Sequence, residues 1–302
     1  MHVAEVAEPH AGPGEIRIAV RASGLSAGET SIRSGMLRDA LPMTFPYRTG
    51  FDAAGVVDEV GGGVTDTEVG DEVFGMTSST ARGANADFAV LTGWAPKPAG
   101  WSWAEAGGAA GGVETSTRVL DRLAVGAGHT VLVQGSAGGV GTIAVQMAVA
   151  RGAAVIGTAS EHNHDLLRSL GATPTTYGPG LVERVRALAP AGVDAVFDCA
   201  TGALPDLIAI AGDPARVVAI ADLTAHAHGV HMSRGAPAGD TGDTVGAAAD
   251  PLALHGLKIA VMLAAEGRLR IPVAATFTLT DAAAAHELSE GGHASGKIVL
   301  LP

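Results

Sequence analysis

Cysteine is almost absent from this chain of 302 residues, which contains Cys199 alone. A single thiol excludes an internal disulfide and any zinc cluster built from cysteines. Aromatic residues make up only 4% of the chain, so stacking platforms for single-stranded nucleic acid would be scarce. Lysine and arginine number 19 against 31 acidic residues, a formal net charge of −12. Because phosphate contacts need a basic face, we expect no nucleic-acid partner.

Long hydrophobic runs are also lacking. No apolar stretch reaches the roughly 20 residues that a membrane helix needs. The first ten residues, MHVAEVAEPH, carry acidic side chains where a signal peptide would carry basic ones. We therefore expect a cytoplasmic protein without a membrane partner. The hydrophobic fraction of 47% is typical of a compact α/β protein, and the length favours two domains.

The pattern of residues changes along the chain. Residues 1–108 contain short β-branched runs that end in glycine, such as EIRIAVRASG and DEVFG, and they predict a small β-barrel or bent sheet. From about residue 111 to residue 222 strand and helix patterns alternate, which predicts βαβ units around a parallel sheet. The small and polar residues of 224–250 predict a loop with one edge strand, GVHMS. A helix pattern and two short strand patterns follow it.

A glycine-rich turn lies inside the alternating region. It reads Ser136-Ala137-Gly138-Gly139-Val140-Gly141, an S-x-G-x-x-G form of the dinucleotide-binding fingerprint. Gly138 would let the backbone approach a pyrophosphate, and Gly141 would let the helix pack close to the strand. Taken alone, such a turn is equally compatible with a plain strand-to-helix connection. Because this one follows a strand, opens a helix and begins a βαβ series, we predict a dinucleotide site.

The end of the next strand indicates which dinucleotide binds. NAD sites usually place an acidic residue there to accept from the ribose 2′-hydroxyl. This strand ends with Thr158-Ala159-Ser160, and the acidic Glu161 comes one residue late. Ser160 can donate to a 2′-phosphate, with Asn163 or His164 nearby. The missing acid favours NADPH.

Several ordered motifs resemble one family. They are PGE after Gly12, GFDAAGVVDEVGGGV at 50–64, VGDEVFG at 69–75, APKPAG at 95–100, GSAGGVG at 135–141, GTAS with NHDLLRSLGA at 157–172, and SGKIVL at 295–300. In this order they resemble the zinc-free branch of the medium-chain dehydrogenase/reductase superfamily, the quinone oxidoreductase-like NADPH-dependent reductases. The resemblance covers nearly the whole chain.

The resemblance implies an α/β fold in two domains. A Rossmann domain with a doubly wound parallel sheet would span residues 109–248. A β-rich GroES-like catalytic domain would combine residues 1–108 with 249–302, and the active cleft would lie between the two. Many relatives form homodimers through edge strands of the Rossmann domain, so we expect a homodimer, with GVHMS at 229–233 as the candidate strand.

The same resemblance implies a set of cofactor contacts. Thr115 matches a threonine near the nicotinamide ribose. Ser160 matches a contact to the 2′-phosphate, and Thr158 lies two positions before it at the same strand end. Tyr177 matches a tyrosine on the adenosine side, and Cys199 and Ile220 follow the next two strands. The pyrophosphate turn comprises Ser136, Ala137, Gly138, Gly139 and Val140.

The chain departs from the family at several positions. Zinc-using relatives carry a cysteine and a histidine in the N-terminal domain, where this chain has Ser26 and Phe51-Asp52, so we expect no metal. Ser26-Ala27 replaces an Asn-Pro pair of many relatives. The stretch GGAAGGVETST at 107–117 lacks the usual Leu-Pro, and we expect its glycines to widen the pocket. The chain begins at what resembles the second strand of relatives.

Reduction of an activated C=C bond needs less from a protein than oxidation of an alcohol without zinc. The developing enolate needs one or two hydrogen-bond donors. We therefore hypothesise an NADPH-dependent reductase of a small-molecule enone or quinone, with Ser26, Tyr47 and Asn85 as candidate donors. Asp52 would organise the cleft or, equally, satisfy the N–H groups of a turn. Alternatively, Tyr47 is an aromatic residue at the rim of the cleft without a catalytic role.

Two other functions stay open. The same reduction on a polyene-ketone could trigger ring closure, which would make the protein a reductive cyclase in a biosynthetic pathway. The fold could also bind NADPH without turnover, as a sensor. The histidines at 162, 164, 226, 228 and 231 are more typical of exposed loops than of a metal site. Cys199 is interpreted as an inert thiol in a buried strand.

Overall fold

The computed structural model describes residues 2–38, 45, 47–78, 83–236 and 249–302. The chain divides into two compact units. We call Met1–Glu114 with Leu254–Pro302 the first unit, and Thr115–Ala253 the second unit. The domains expected from the sequence, with boundaries at 108/109 and 248/249, stay a prediction.

Strands and short helices alternate through the described residues. In chain order the strands are β1 (Ile16–Leu25), β2 (Asp52–Val60), β3 (Glu72–Met76), β4 (Phe88–Leu91), β5 (Gly93–Pro96), β6 (Thr130–Gln134), β7 (Ala154–Thr158), β8 (Ala172–Thr175), β9 (Ala195–Asp198), β10 (Val217–Ala219), β11 (His231–Met232), β12 (Arg234–Ala236), β13 (Ala249–Pro251), β14 (Val273–Thr278) and β15 (Lys297–Leu301). The α-helices are α1 (Ala27–Arg33), α2 (Trp103–Gly107), α3 (Ala110–Arg122), α4 (Gly141–Ala150), α5 (His164–Ser169), α6 (Leu181–Leu188), α7 (Leu204–Ala211), α8 (His255–Ala265) and α9 (Ala282–Glu290). Within this part of the chain no helix is long and apolar enough to cross a membrane.

The first unit is built on one largely antiparallel sheet. Its strand order is β14-β15-β1-β2-β3-β5, and β4 pairs with β1. Alternate residues of β1 point inward, because Ile16, Ile18 and Val20 are buried while the residues between them are more exposed. These side chains pack with Val57 and Leu91 into one core cluster. The alternating pattern thus gives β1 one buried face.

Glycines let helices lie directly on this sheet. A Cβ atom added at Gly107 would come within 2.6 Å of the Cβ of Ala22 in β1. One added at Gly111 would come within 2.5 Å of a carboxylate oxygen of Asp52. These two glycines therefore permit close packing of α2 and the start of α3 on the sheet. The wider pocket expected from the sequence stays a prediction.

The second unit contains a parallel sheet of six strands among the residues described, in the order β11-β10-β9-β6-β7-β8. The chain starts at β6, runs outward through β7 and β8, and returns to β9 on the other side of β6. That reversal is the topological switch point of a doubly wound sheet, where ligands bind at the carboxyl ends of the strands. The α/β fold class predicted from the sequence is confirmed.

The segment interpreted as a loop with an edge strand is partly described. GVHMS contains β11, which pairs in parallel with β10 at the edge of the sheet. β12 and β13 form a separate parallel pair. The loop predicted for residues 237–248 lies outside the described residues.

Candidate cofactor-binding site

The glycine turn connects β6 to α4 in the second unit. Gly135, just after β6, has φ +72, a left-handed conformation that glycine adopts without strain. A Cβ added at Gly141 would lie 2.3 Å from the carbonyl oxygen of Gly135 and 2.6 Å from Cα of Ser136. The first turn of α4 therefore lies on the strand end so closely that position 141 accepts only glycine.

Buried polar side chains hold this turn against the end of β7. Thr158 Oγ1 donates to Gln134 Oε1 (2.5 Å) and accepts from the N–H of Gly135 (3.0 Å). Ser136 Oγ donates to the carbonyl oxygen of Thr158 (2.8 Å). All three side chains are buried. The hydroxyls of Ser136 and Thr158 thus support the turn from inside, and any contact of these two residues with a cofactor stays a prediction.

The outer side of the turn is the part that could hold a pyrophosphate. A Cβ at Gly138 would meet its nearest neighbour, the Gly135 carbonyl oxygen, only at 3.4 Å, so backbone can be approached there. Val140 is the N-cap of α4 and makes no side-chain cap, and the first turn of the helix has no acidic residue. The N–H groups of Gly138, Thr142 and Ile143 already donate to backbone carbonyl oxygens, so what this helix end offers an anion is chiefly the positive end of the helix dipole. Ala137 and Gly139 lie in the same turn, just before the N-terminus of α4, the end of a helix that favours an anion.

The end of β7 lacks the acidic residue of an NAD site. Ser160 is half-buried and extended, with φ −65 and ψ 151, and it precedes a 3-10 turn at Glu161–Asn163. Glu161 is exposed. The ring atom Nε2 of His164, four positions after Ser160, is buried without a hydrogen-bond partner among the described residues.

Arg184 supports the neighbouring loop, a role that the sequence analysis missed. Tyr177, 57% exposed, lies in the loop after β8. The guanidinium of Arg184 donates to four carbonyl oxygens of this loop, those of Thr176 (2.8 Å), Tyr177 (3.3 Å), Gly178 (3.3 Å) and Pro179 (2.7 Å). The position of Arg184 in α6 carries no signal of these contacts, because the loop conformation alone brings the four carbonyls together.

Cys199 and Ile220 follow β9 and β10 at the same sheet edge. The N–H of Cys199 donates to the Gln134 carbonyl, and that of Ile220 donates to the Asp198 carbonyl. β9 ends at Asp198, so Cys199 lies just past the strand and is half-buried. The interpretation of Cys199 as a thiol inside a buried strand is therefore wrong. Burial raises the pKa of the Cys199 thiol well above its ordinary value, and the nearby Asp198 charge adds to the rise.

Asp198 is a second group that the sequence analysis missed. Its side chain is buried, Oδ1 accepts from the N–H of Ala200 (3.0 Å), and Oδ2 has no partner among the described residues. Burial raises the pKa of Asp198 to about 7; the Ala200 N–H opposes this rise and the Asp222 charge adds to it.

The order of strands in the sheet brings the glycine turn, Thr158, Cys199 and Ile220 to adjacent strand ends, with Tyr177 one strand further on.

In the first unit, two of the predicted donors belong to a network around Glu29. Ser26 is the N-cap of α1, and its N–H (3.2 Å) and Oγ (3.4 Å) donate to Glu29 Oε1. Asn85 Nδ2 donates to Glu29 Oε2 (3.0 Å) and to Thr49 Oγ1 (3.0 Å), and Ser23 Oγ donates to Asn85 Oδ1 (2.8 Å). Glu29 is buried. The spacing Ser26-x-x-Glu29 is a capping box, the sequence signal that could have pointed to Glu29.

Asp52 occupies a separate buried site. Its Oδ1 accepts from the N–H of Gly111 (2.9 Å), and its Oδ2 lies 3.4 Å from Lys297 Nζ. Both side chains are buried. Burial raises the pKa of Asp52, and the Lys297 charge and the Gly111 N–H oppose part of the rise. Tyr47 lies half-buried in the irregular segment before β2.

The donor set does not fit zinc. At the positions that the family resemblance assigns to zinc ligands, Ser26 caps α1, Phe51 offers no ligand atom, and the Asp52 carboxylate faces Lys297. Of the clustered histidines, His226 and His228 lie in a 3-10 turn, and His231 Nε2 bonds to Asp250 Oδ2 (2.8 Å). The described residues contain no group of three or more histidine, cysteine, aspartate or glutamate side chains that could hold a metal ion.

Two family models match the chain. Residues 12–125 match the alcohol dehydrogenase GroES-like domain, and residues 170–300 match the zinc-binding dehydrogenase model. The spectinabilin polyketide synthase system protein NorB of Streptomyces orinoci is 35% identical over 67% of this chain, which spans 9% of that protein. The human synaptic vesicle membrane protein VAT-1 homolog is 34% identical over 64% of this chain, which spans 49% of it. The chain thus spans about half of one relative and a small part of the other.

Solved structures match over the whole chain. An NAD-dependent alcohol dehydrogenase superposes with a TM-score of 0.82 at 27% identity, covering 100% of this chain and 95% of that one. The quinone oxidoreductase of Coxiella burnetii gives 0.71 at 26% identity, with 98% and 93% covered. The Escherichia coli quinone oxidoreductase, solved with NADPH, gives 0.81 at 24% identity, with 100% and 95% covered. The two family models follow one another in the order that the resemblance predicts. The fold, with its parallel sheet and glycine turn, leads to the same conclusion. The chain belongs to the medium-chain dehydrogenase/reductase superfamily and resembles its quinone oxidoreductase-like members.

Proposed function

We propose that this protein is an NADPH-dependent reductase that adds a hydride to the activated C=C bond of an enone or quinone, without zinc. The observation that carries the proposal is the glycine turn between β6 and α4, beside strand β7, which ends at Thr158 and is followed by Ala159 and Ser160 with no acid at either position. A pyrophosphate would lie against this turn, at the positive end of the α4 dipole.

The choice of NADPH over NADH rests on Ser160. A hydroxyl can donate to a 2′-phosphate, whereas a carboxylate at the strand end would repel that dianion. The solved neighbours named above include one described as NAD-dependent and one solved with NADPH, so their names do not decide the matter. The absence of a carboxylate at this strand end favours the phosphorylated cofactor.

When bound, NADPH would supply the hydride that the β-carbon of the substrate receives. The protein would have to donate a hydrogen bond to the oxygen on which negative charge develops. Both Nδ2 hydrogens of Asn85 have acceptors in the first unit, and Ser26 Oγ lies against Glu29. Tyr47 is therefore the donor that we rank first. Asp52 has a structural role, because its carboxylate accepts hydrogen bonds from the Gly111 N–H and from Lys297 Nζ.

The similarity to a polyketide synthase protein supports one alternative within the same chemistry. NorB belongs to a polyketide synthase system, so a long conjugated ketone is a reasonable substrate, and its reduction could end in ring closure. Reduction and reductive closure can give isomers of one mass. NMR of the product, not mass spectrometry, would separate the two reactions.

The test combines turnover with binding. NADPH oxidation would be followed at 340 nm with a quinone, a simple enone and a long conjugated ketone, while the Kd of NADPH and NADH is measured by calorimetry. We expect NADPH to bind more tightly and at least one acceptor to be reduced. Tighter binding of NADH would refute the cofactor assignment. Binding of NADPH without oxidation by any acceptor would replace the reductase with a non-catalytic sensor.

A further inference from the structure

We propose that Arg118, held by Ser233 and Asp250, is a positioning residue that sets the place of the Thr115 side chain for the nicotinamide half of the cofactor. The inference rests on the proposed function, because Thr115 is assigned to the nicotinamide ribose through the family resemblance. The contacts that carry it all lie within the second unit.

Thr115 and Arg118 lie one turn apart on α3, so their side chains share a helix face. Arg118 Nη2 donates to Thr115 Oγ1 at 3.3 Å. The other terminal nitrogen, Nη1, donates to Ser233 Oγ. Arg118 is 7% exposed, so its guanidinium is a buried cation that bridges the helix and the segment between β11 and β12.

A carboxylate completes the chain of hydrogen bonds. Ser233 Oγ donates to Asp250 Oδ2 at 2.5 Å, and His231 Nε2 lies 2.8 Å from the same oxygen. Asp250 Oδ1 accepts from Arg122 Nη1 at 3.0 Å. Burial raises the pKa of Asp250, but the hydrogen bonds and charges of Ser233, His231 and Arg122 together bring it below its ordinary value. Asp250 is therefore an anion that fixes the Ser233 hydroxyl, which in turn fixes Arg118.

The backbone of β12 passes close to the same guanidinium. A Cβ added at Gly235 would lie 3.2 Å from Arg118 Nε, 3.4 Å from Cζ and 2.8 Å from Leu252 Cδ2. Arg118 thus has polar contacts at both terminal nitrogens and backbone beside its plane. A long side chain immobilised before a ligand arrives does not have to be ordered during binding, which favours affinity.

Affinity for two ligands distinguishes positioning from general support of the fold. NADPH carries the nicotinamide half, whereas adenosine 2′,5′-bisphosphate lacks it and would use only the Ser160 side of the site. We would measure the Kd of both ligands by calorimetry for the wild type, Ser233→Ala and Asp250→Asn. The loss of one hydrogen bond to a charged group predicts NADPH binding weakened roughly fivefold or more, with adenosine bisphosphate binding unchanged.

Two further variants sharpen the result. Ser233→Thr keeps the hydroxyl and should restore NADPH affinity. The double variant Thr115→Ala/Ser233→Ala should be no worse than Thr115→Ala, because residues that act through one another are not additive. Asp213→Asn is the control, since Asp213 is an exposed carboxylate of the second unit whose Oδ1 accepts from the N–H of Ala215 (2.9 Å), outside this network.

The outcomes separate the two proposals. Equal weakening of both ligands in Ser233→Ala would show a merely structural role and overturn the inference. NADPH affinity equal to that of the wild type, or additive losses in the double variant, would overturn it as well. Failure of the wild-type protein to bind NADPH would refute the proposed function. If Asp250→Asn does not fold, as judged by its thermal transition, Ser233→Ala decides alone.

Discussion

The carboxylate of Asp52 at the start of β2 lies 3.4 Å from the ammonium group of Lys297 at the start of β15, although 245 positions separate them in the chain. Both side chains are buried. The pair therefore joins the N-terminal and C-terminal segments of the first unit at a place where water cannot solvate either charge. A buried pair of this kind is costly to break on one side only.

Lys297→Met should lower the free energy of unfolding by roughly 3 kcal/mol, because it leaves the Asp52 carboxylate buried without its cation. Adding Asp52→Asn should recover part of the loss, since the remaining group is neutral. Urea denaturation measures both values. Arg268→Gln, in the exposed pair with Glu266, serves as the control and should change stability little. Equal losses in Lys297→Met and in the double variant would contradict the argument.

Two glycines of the turn should separate folding from binding. Gly141→Ala forces a Cβ to within 2.3 Å of a backbone oxygen and should destabilise the second unit. Gly138→Ala meets its nearest atom at 3.4 Å, so it should keep its thermal transition but bind NADPH at least tenfold more weakly, because the methyl group blocks the approach to the backbone. Unchanged NADPH affinity in Gly138→Ala would count against the pyrophosphate site.

Asp198 should make stability fall as the pH rises. Its folded-state pKa of about 7 exceeds the ordinary value, so the folded protein binds the proton more tightly than the unfolded chain. That contribution is complete at acidic pH and is lost between about pH 4 and pH 7, by up to roughly 4 kcal/mol. Compared with Asp198→Asn, the wild type should lose this stability in urea titrations across the window. Asp165→Asn, whose carboxylate is 96% exposed, should follow the wild type.

His286 should make the free energy of unfolding fall as the pH decreases. The residue is buried, and neither ring nitrogen has a hydrogen-bond partner among the described residues. Burial lowers the pKa of His286, the Arg33 charge lowers it further, and Glu290 opposes them. The unfolded chain therefore takes up the proton first, and stability decreases as the pH falls below about 6.5. His286→Leu should lose less stability than the wild type between pH 7 and pH 5.

The exposed His293→Leu is the control for that experiment. It should keep the acid dependence of the wild type, as measured by the midpoint of thermal unfolding at each pH. An identical pH dependence in His286→Leu and the wild type would show that another group is responsible.

Tyr47→Phe should lower kcat by roughly tenfold or more if the hydroxyl donates to the developing oxyanion, while the Kd of NADPH stays the same. Steady-state NADPH oxidation with the best acceptor, together with calorimetry, measures the two effects. Asn85→Asp keeps the shape of its side chain but places a second carboxylate against Glu29, so its main effect should be on stability. A rate for Tyr47→Phe equal to that of the wild type would leave Tyr47 as a rim aromatic.

Local patterns in the sequence determined much of this structure. The β-branched run that ends at Gln134, the glycines after it and the Ala-rich helix that follows encode the turn of the cofactor site within about twenty residues. Glycine at 141 and the capping box at Ser26 could be read in the same way, since backbone sterics and first-turn hydrogen bonds act between neighbours. These signals were sufficient for the fold class and for the strand ends around the switch point.

Tertiary structure alone decided which polar groups are used inside the protein. Asn85 was predicted as a donor, yet its amide bonds to Glu29, which lies 56 positions away. The bond between Arg118 and Ser233 joins positions 115 apart, and Asp198 acquires its raised pKa from the strands packed around it. No periodicity encodes such pairs, because they depend on which elements the folded chain brings together and on how far water is excluded from them.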